Sequence, residues 1–224
     1  MKYFIHHRNT FSCLFVTLLL TVAFTAVDAH AISADLENLS RTQIGWTYFS
    51  LGFTHILPKG YDHVLFILGL FLLSPKLTDI LWQATTFTIA HTLTLGLAMT
   101  GIIHPISGII EPLIAISIVF VGIENVLLKE LRWWRIGIVF CFGLLHGCGF
   151  AGALQEIGLP QSGFAFALLS FNIGVELGQI VIILLAYMLC VKHFSEKVWY
   201  RARIVEPVSL GIAVIATFWA IERM

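Results

Sequence analysis

Apolar residues fall into blocks at Gln43–Leu57, Tyr61–Ser74, Thr78–Thr100, Ile109–Leu128, Arg135–Leu154, Gly163–Val191 and Ile204–Ile221, separated by short polar breaks. The last five approach or exceed the ~20 residues that a helix needs to cross a bilayer. The first two do not: a helix the length of Gln43–Leu57 reaches only about 22 Å, short of a ~30 Å hydrocarbon core. They meet at Pro58 and Gly60. Ahead of them, residues 1–31 have the pattern of a secretory signal peptide. Lys2 and Arg8 supply the positive start, Phe11 to Val27 the apolar run, and Ala29-His30-Ala31 a cleavage site.

Charge decides whether the two short blocks cross once or twice. If Gln43–Ser74 makes one net crossing inward, Lys76, Lys129, Arg132, Arg135, Lys192, Lys197, Arg201 and Arg203 all fall in cytoplasmic loops. Two crossings would put every one of them outside, against the positive-inside rule. The expectation is therefore an all-α, polytopic membrane helix bundle with about six crossings. Its first element is broken at Pro58–Gly60, and residues 32–224 form a single transmembrane domain with both mature termini periplasmic. A signal peptide with this topology places the chain in a bacterial inner membrane.

Composition agrees. The chain is 58% hydrophobic and 12% charged, against roughly 25% charged in soluble domains, and its mean hydropathy is +0.90. A formal net charge of zero gives no reason to expect a nucleic-acid partner. The cysteines Cys13, Cys141, Cys148 and Cys190 form no CxxC pair, so neither a disulfide framework nor a zinc knuckle is indicated. No Ser-His-Asp order, P-loop, GxGxxG or HExxH is present. Trp133, Trp134 and Trp199 beside basic residues suit an interfacial belt.

Polar residues inside the apolar blocks carry the candidate chemistry, because ionisable groups at membrane depth are costly and cluster at function. His55, Asp62 and His63 flank the break, and three such groups within nine residues suggest divalent-metal handling. They would equally serve to cap the helix starting near Tyr61. At ~1.5 Å per residue, Asp62 and His63 lie about 17 Å from the cytoplasmic edge, His91 about 20 Å and His146 about 17 Å. Asn172 and Glu176, descending from Gly163, reach comparable depths, so several helices offer polar groups near one plane. Thr85, Thr88 and Thr92 share the face of His91; they suit an outer shell that orients the imidazole or ordinary bonding within and between helices. Asn172, Glu176 and Gln179 form a stripe spaced i, i+4, i+7, in which Glu176 reads as a ligand, a proton-coupling group or a neutral acid. Glu124, beside Asn125, lies one turn from the cytoplasmic end, where it can pair with Lys129, Arg132 or Arg135 or act as a lower gate.

Together these stretches resemble a known family. Gly-Phe-Thr-His55 with Asp62-His63, Phe-Thr-Ile-Ala-His91-Thr, Glu124-Asn125, Leu-Leu-His146-Gly-Cys-Gly-Phe-Ala and Phe-Asn172-Ile-Gly-Val-Glu176-Leu-Gly-Gln179 are similar to the HupE/UreJ family of hydrogenase and urease accessory membrane proteins, in particular its second branch. The resemblance covers about residues 45–190. It implies a nickel or nickel/cobalt permease with a signal peptide and about six helices, and His55, Asp62 and His63 stand where that family carries a His-Pro-x-x-Gly-x-Asp-His motif. Here the gap between His55 and Asp62 is one residue longer, and no proline follows the histidine directly.

The expected function is thus a permease for a divalent transition-metal cation, nickel or cobalt first. The metal candidates are His55, Asp62, His63, His91, His146 and Glu176, supported by Thr88, Thr92, Asn172, Gln179 and Glu124. Imidazole suits nickel, cobalt and zinc alike. The rivals are an intramembrane zinc-dependent hydrolase and a non-transporting metal-binding accessory protein. Expected partners are the metal ion and the lipid bilayer, with a homo-oligomer or metalloenzyme maturation partners left open.

Overall fold

A computed structural model describes residues 40–160 and 163–224. The signal-peptide stretch lies outside them. The described chain is helical: α1 Arg41–Ile56, α2 Tyr61–Leu73, α3 Leu77–Met99, α4 Ser107–Leu127, α5 Arg135–Ile157, α6 Phe164–Ala186 and α7 Glu206–Glu222. α6 runs on through π-helical Tyr187–Val191 as far as Phe194, and π-helical Arg201–Val205 leads into α7.

α4, α5, the extended α6 and the extended α7 are each long and apolar enough to cross a membrane, and the α1–α2 pair qualifies jointly across a 65° bend. α3 has 23 residues, enough to span, but falls short of the other spans in apolarity. The expected count of six includes it. Its deficit comes from Gln83, His91 and a series of threonines, of which Gln83, Thr88, His91 and Thr94 are buried inside the bundle. α4 shows the converse pattern: Ile109, Leu113, Ile116, Phe120 and Ile123 form an exposed apolar stripe at helical spacing, the face a spanning helix turns to lipid.

The break forms where the sequence places it. α1 begins with a capping box between Ser40 and Gln43 and ends just before Pro58, whose ring cannot continue a helix. The backbone freed there is recaptured locally: Leu57 N–H donates to Phe53 O at 2.8 Å and Gly60 N–H to Ile56 O at 3.2 Å. Such recapture is what a broken helix needs at membrane depth.

The bundle is built from paired helices, α1 with α6, α3 with α5 and α4 with α7. Small residues set each crossing. A methyl group on Gly52 would overlap the Phe171 carbonyl, and one on Gly174 the Phe49 carbonyl, so α1 and α6 touch backbone to backbone. Gly143 and Gly147 do the same against Phe87 and His91 of α3, and Gly122 against Ser209 of α7. Close approach of this kind drives helix association where lipid removes the hydrophobic incentive. α2 lies among these pairs, and all its residues from His63 to Leu73 except Leu68 are buried. A helix apolar all round belongs in the interior, so the second half of the broken element is the hub of the bundle.

Candidate metal centre

Four histidines converge around the α1–α2 break. His55 comes from the last turn of α1, His63 from the first turn of α2, His91 from the middle of α3 and His146 from the middle of α5. The His63 ring lies 4.6 Å from that of His55, 5.9 Å from His91 and 4.9 Å from His146, between centroids. One nitrogen each from His55, His63 and His91 lies within 4.8 Å of the other two. Metal–nitrogen bonds of about 2.1 Å at a tetrahedral angle separate ligand atoms by about 3.4 Å, so modest side-chain rotation brings the three onto one ion.

The nitrogens are free to bind. His55 Nε2, His63 Nε2 and His146 Nδ1 are buried without a hydrogen-bond partner, and the ring nitrogens of His91 make no hydrogen bond of good geometry, although the Asn172 side chain interacts with that ring. Leaving such groups unpaired is costly, and a cation satisfies them. His146 is oriented by a neighbour. The Ser117 hydroxyl donates to Ile114 O at 2.7 Å and lies 3.1 Å from His146 Nε2. Its single proton is thereby used, so Ser117 accepts from Nε2–H and the lone pair of His146 rests on Nδ1. Phenylalanines close the surroundings: the Phe150 ring lies tilted 3.9 Å from that of His55, Phe87 lies 5.0 Å from His146 and Phe66 5.2 Å from it, between centroids.

Of the other expected site residues, Asn172 interacts with the cluster through His91. Asp62 does not turn into the cluster; Arg223 holds its two carboxylate oxygens at 3.1 and 3.2 Å. Glu176 accepts from Thr85 Oγ1 at 2.7 Å, with its second oxygen buried and unpartnered. Thr88 and Thr92 bond back to Ala84 O and Thr88 O of their own helix. Asn172 donates to Leu168 O, and both side-chain polar atoms of Gln179 are buried without partners.

A cavity of about 440 Å³ leads to the histidines. Exposed Lys59 and Glu111 line it, together with the Asp62–Arg223 pair, and it reaches His55 and the buried His63 and His146. The far end of the bundle is tied shut by polar bonds. Arg135, fully buried, donates to Glu124 Oε2 at 2.7 Å, Gln83 Oε1 at 2.9 Å and Asn125 Oδ1 at 3.3 Å. Asn125 in turn donates to Gly69 O and Ser209 Oγ. These residues join α2, α3, α4, α5 and α7 at one level. Gly69, Gln83 and Arg135 each lie toward the opposite helix end from His63, His91 and His146, by six to eleven residues, or about 9 to 17 Å.

Sequence reasoning missed several of these groups. Ser117 is one serine in an apolar run and gives no local signal. Arg135 reads as a loop cation that orients the protein, yet its guanidinium lies inside; its position within reach of Glu124 is the sequence feature that hinted at the pair. The phenylalanines are indistinguishable by pattern from ordinary core.

Fold and site together define a helical membrane protein that encloses a histidine cluster between a cavity and a polar seal. The chain belongs to the HupE/UreJ family: the sequence model described as HupE / UreJ protein matches residues 32–223. Neither a curated protein nor a solved structure matches it.

Proposed function

We propose that the protein is a permease for a divalent transition-metal cation, nickel or cobalt first, which enters through the cavity at the α1–α2 break and binds His55, His63 and His91, with His146 alongside. The carrying observation is the set of buried, unpartnered imidazole nitrogens from separate helices at the end of an accessible cavity. Imidazole without thiolate favours binding of intermediate strength, which suits passage, since a transported ion must also leave. The cavity side corresponds to the periplasm of an inner membrane and the Arg135 seal to the cytoplasm. In this arrangement the ion is accessible from outside and its release inward requires the seal to open.

A hydrolase reading draws less support. A catalytic zinc site needs a carboxylate to activate water beside three ligands, and Asp62 and Glu176 are engaged by Arg223 and Thr85 instead.

Uptake of radioactive nickel or cobalt by cells expressing the protein tests the proposal. Uptake above that of the empty vector, lost in His63→Ala and His91→Ala at unchanged protein abundance, is the expected result. Uptake equal to the empty vector, with a tightly held, non-exchanging zinc in the purified protein, overturns it.

A further inference from the structure

Asp62 neighbours the buried His63 in sequence but turns into the cavity, where Arg223 clamps it. The clamp is bidentate, through Nη1 and Nη2 of Arg223, the geometry that guanidinium provides and ammonium does not. Both side chains are about one-quarter exposed, at 24% and 25%, so the pair is reachable from the cavity mouth. Arg223 is also tethered, with its guanidinium carbon 5.4 Å from the Trp219 ring centroid. Trp219 and Arg223 line the cavity with Lys59 and Glu111. The pair and His63 thus line one and the same cavity.

We propose that Asp62 is an outer docking group for a divalent cation, and that Arg223 is a tethered stand-in for that cation which yields to it. The inference rests on the permease reading. An alkali cation offers Asp62 one charge, which Arg223 already supplies together with two directed hydrogen bonds. A divalent ion doubles the Coulomb attraction and displaces the guanidinium, which retains its place over the Trp219 ring. Arg223 is therefore a specificity-determining residue that keeps monovalent ions off the path to the histidines.

Nickel uptake kinetics in cells, in low-sodium and high-sodium buffer, test this with Arg223→Gln, Arg223→Lys, Asp62→Asn and the Asp62→Asn/Arg223→Gln double variant. Removing an exposed pair of this kind changes binding by up to about five-fold. The expected result is a KM for nickel lowered by up to that factor in Arg223→Gln, with sodium now competing, whereas sodium has little effect on the wild type. Arg223→Lys, which keeps the charge but loses the fork, falls between them and serves as the deciding variant if Arg223→Gln fails to insert. In the Asp62→Asn background the Arg223→Gln change has no further effect on KM. A general packing role for Arg223 would lower maximal uptake without creating sodium competition. Wild-type KM and no sodium competition in Arg223→Lys and any inserted Arg223→Gln, while the wild type transports nickel, overturn this inference alone. A wild type that takes up no nickel overturns the permease reading beneath it.

Discussion

Arg135 and Glu124 meet at 2.7 Å with side chains only 1% and 5% exposed, an ion pair enclosed where α3, α4 and α5 come together. Removing one partner of a buried pair strands the other charge and typically costs about 3–5 kcal/mol. Glu124→Ala should therefore lower thermal stability in detergent sharply. Glu124→Ala combined with Arg135→Met should recover part of the loss, because no lone charge remains. An unchanged melting temperature in the single variant would show that the pair is not enclosed in the membrane-embedded protein.

Ser117 acts on the site through His146. Ser117→Ala removes the acceptor that holds the His146 proton on Nε2, which frees the ring to change tautomer and rotate. Loss of such outer partners typically costs about 10–100-fold in metal affinity. Equilibrium nickel binding to the purified protein should weaken in that range, and the melting temperature should fall as well, because the buried Nε2–H loses its acceptor. Equal affinity would mean that His146 plays no part in holding the ion.

Gly147 lies where α5 crosses α3, and a methyl group there would overlap His91 O and Thr94 Oγ1. Gly147→Ala should push the two helices apart at an overpacking cost of about 1–3 kcal/mol. It should also weaken metal binding, because His91 and His146 sit on the displaced helices. Gly152→Ala is the control on the same helix, since no atom lies within 4 Å of its added methyl. The two variants compared by thermal melting and nickel titration should differ clearly.

Glu176 separates two arrangements of the centre. With its carboxylate bonded to Thr85, Glu176→Gln should keep an acceptor for that hydroxyl and leave nickel binding at the histidines within about two-fold of wild type, the effect of a change of a few tenths of a kcal/mol. Thr85→Val should destabilise the protein by about 0.5–1.5 kcal/mol, because the half-buried carboxylate loses its hydrogen-bond donor. A ten-fold or greater loss of affinity in Glu176→Gln, on the order of 1.4 kcal/mol, would place the carboxylate among the metal ligands.

Much of the architecture is legible in the chain because it follows from local rules. The blocks at Ile109–Leu128 and Arg135–Leu154 announce themselves as helices by length and apolarity, and Pro58 with Gly60 announces the break, since neither residue supports a continuous helix there. Loop cations are what argues in the sequence for a single crossing by Gln43–Ser74. Counting residues from the loops also suffices to put His63, His91 and His146 at similar depth, and the structure brings His63 within reach of both others.

Side-chain direction is a different matter. Asp62 and His63 are adjacent in sequence and equal in predicted depth, yet a helix turns successive residues by about 100°, which sends one to Arg223 and the other to the histidines. Glu176 and Gln179 share a stripe, but only the neighbouring helix decides that Thr85 meets the first. Ser117 gains its role solely because α4 packs beside α5.

The sequence by itself determined which segments are helical, where the first element breaks, and which polar residues fall within apolar segments, because hydropathy, proline geometry and helical rise act along the chain. Only the tertiary structure decided that α2 is the central helix, that Arg135 lies inside, and that the histidines meet while Asp62 turns away. These outcomes depend on how glycine-lined faces close on one another and rotate each helix about its axis, and that rotation is set by the partner helix rather than by the segment's own residues.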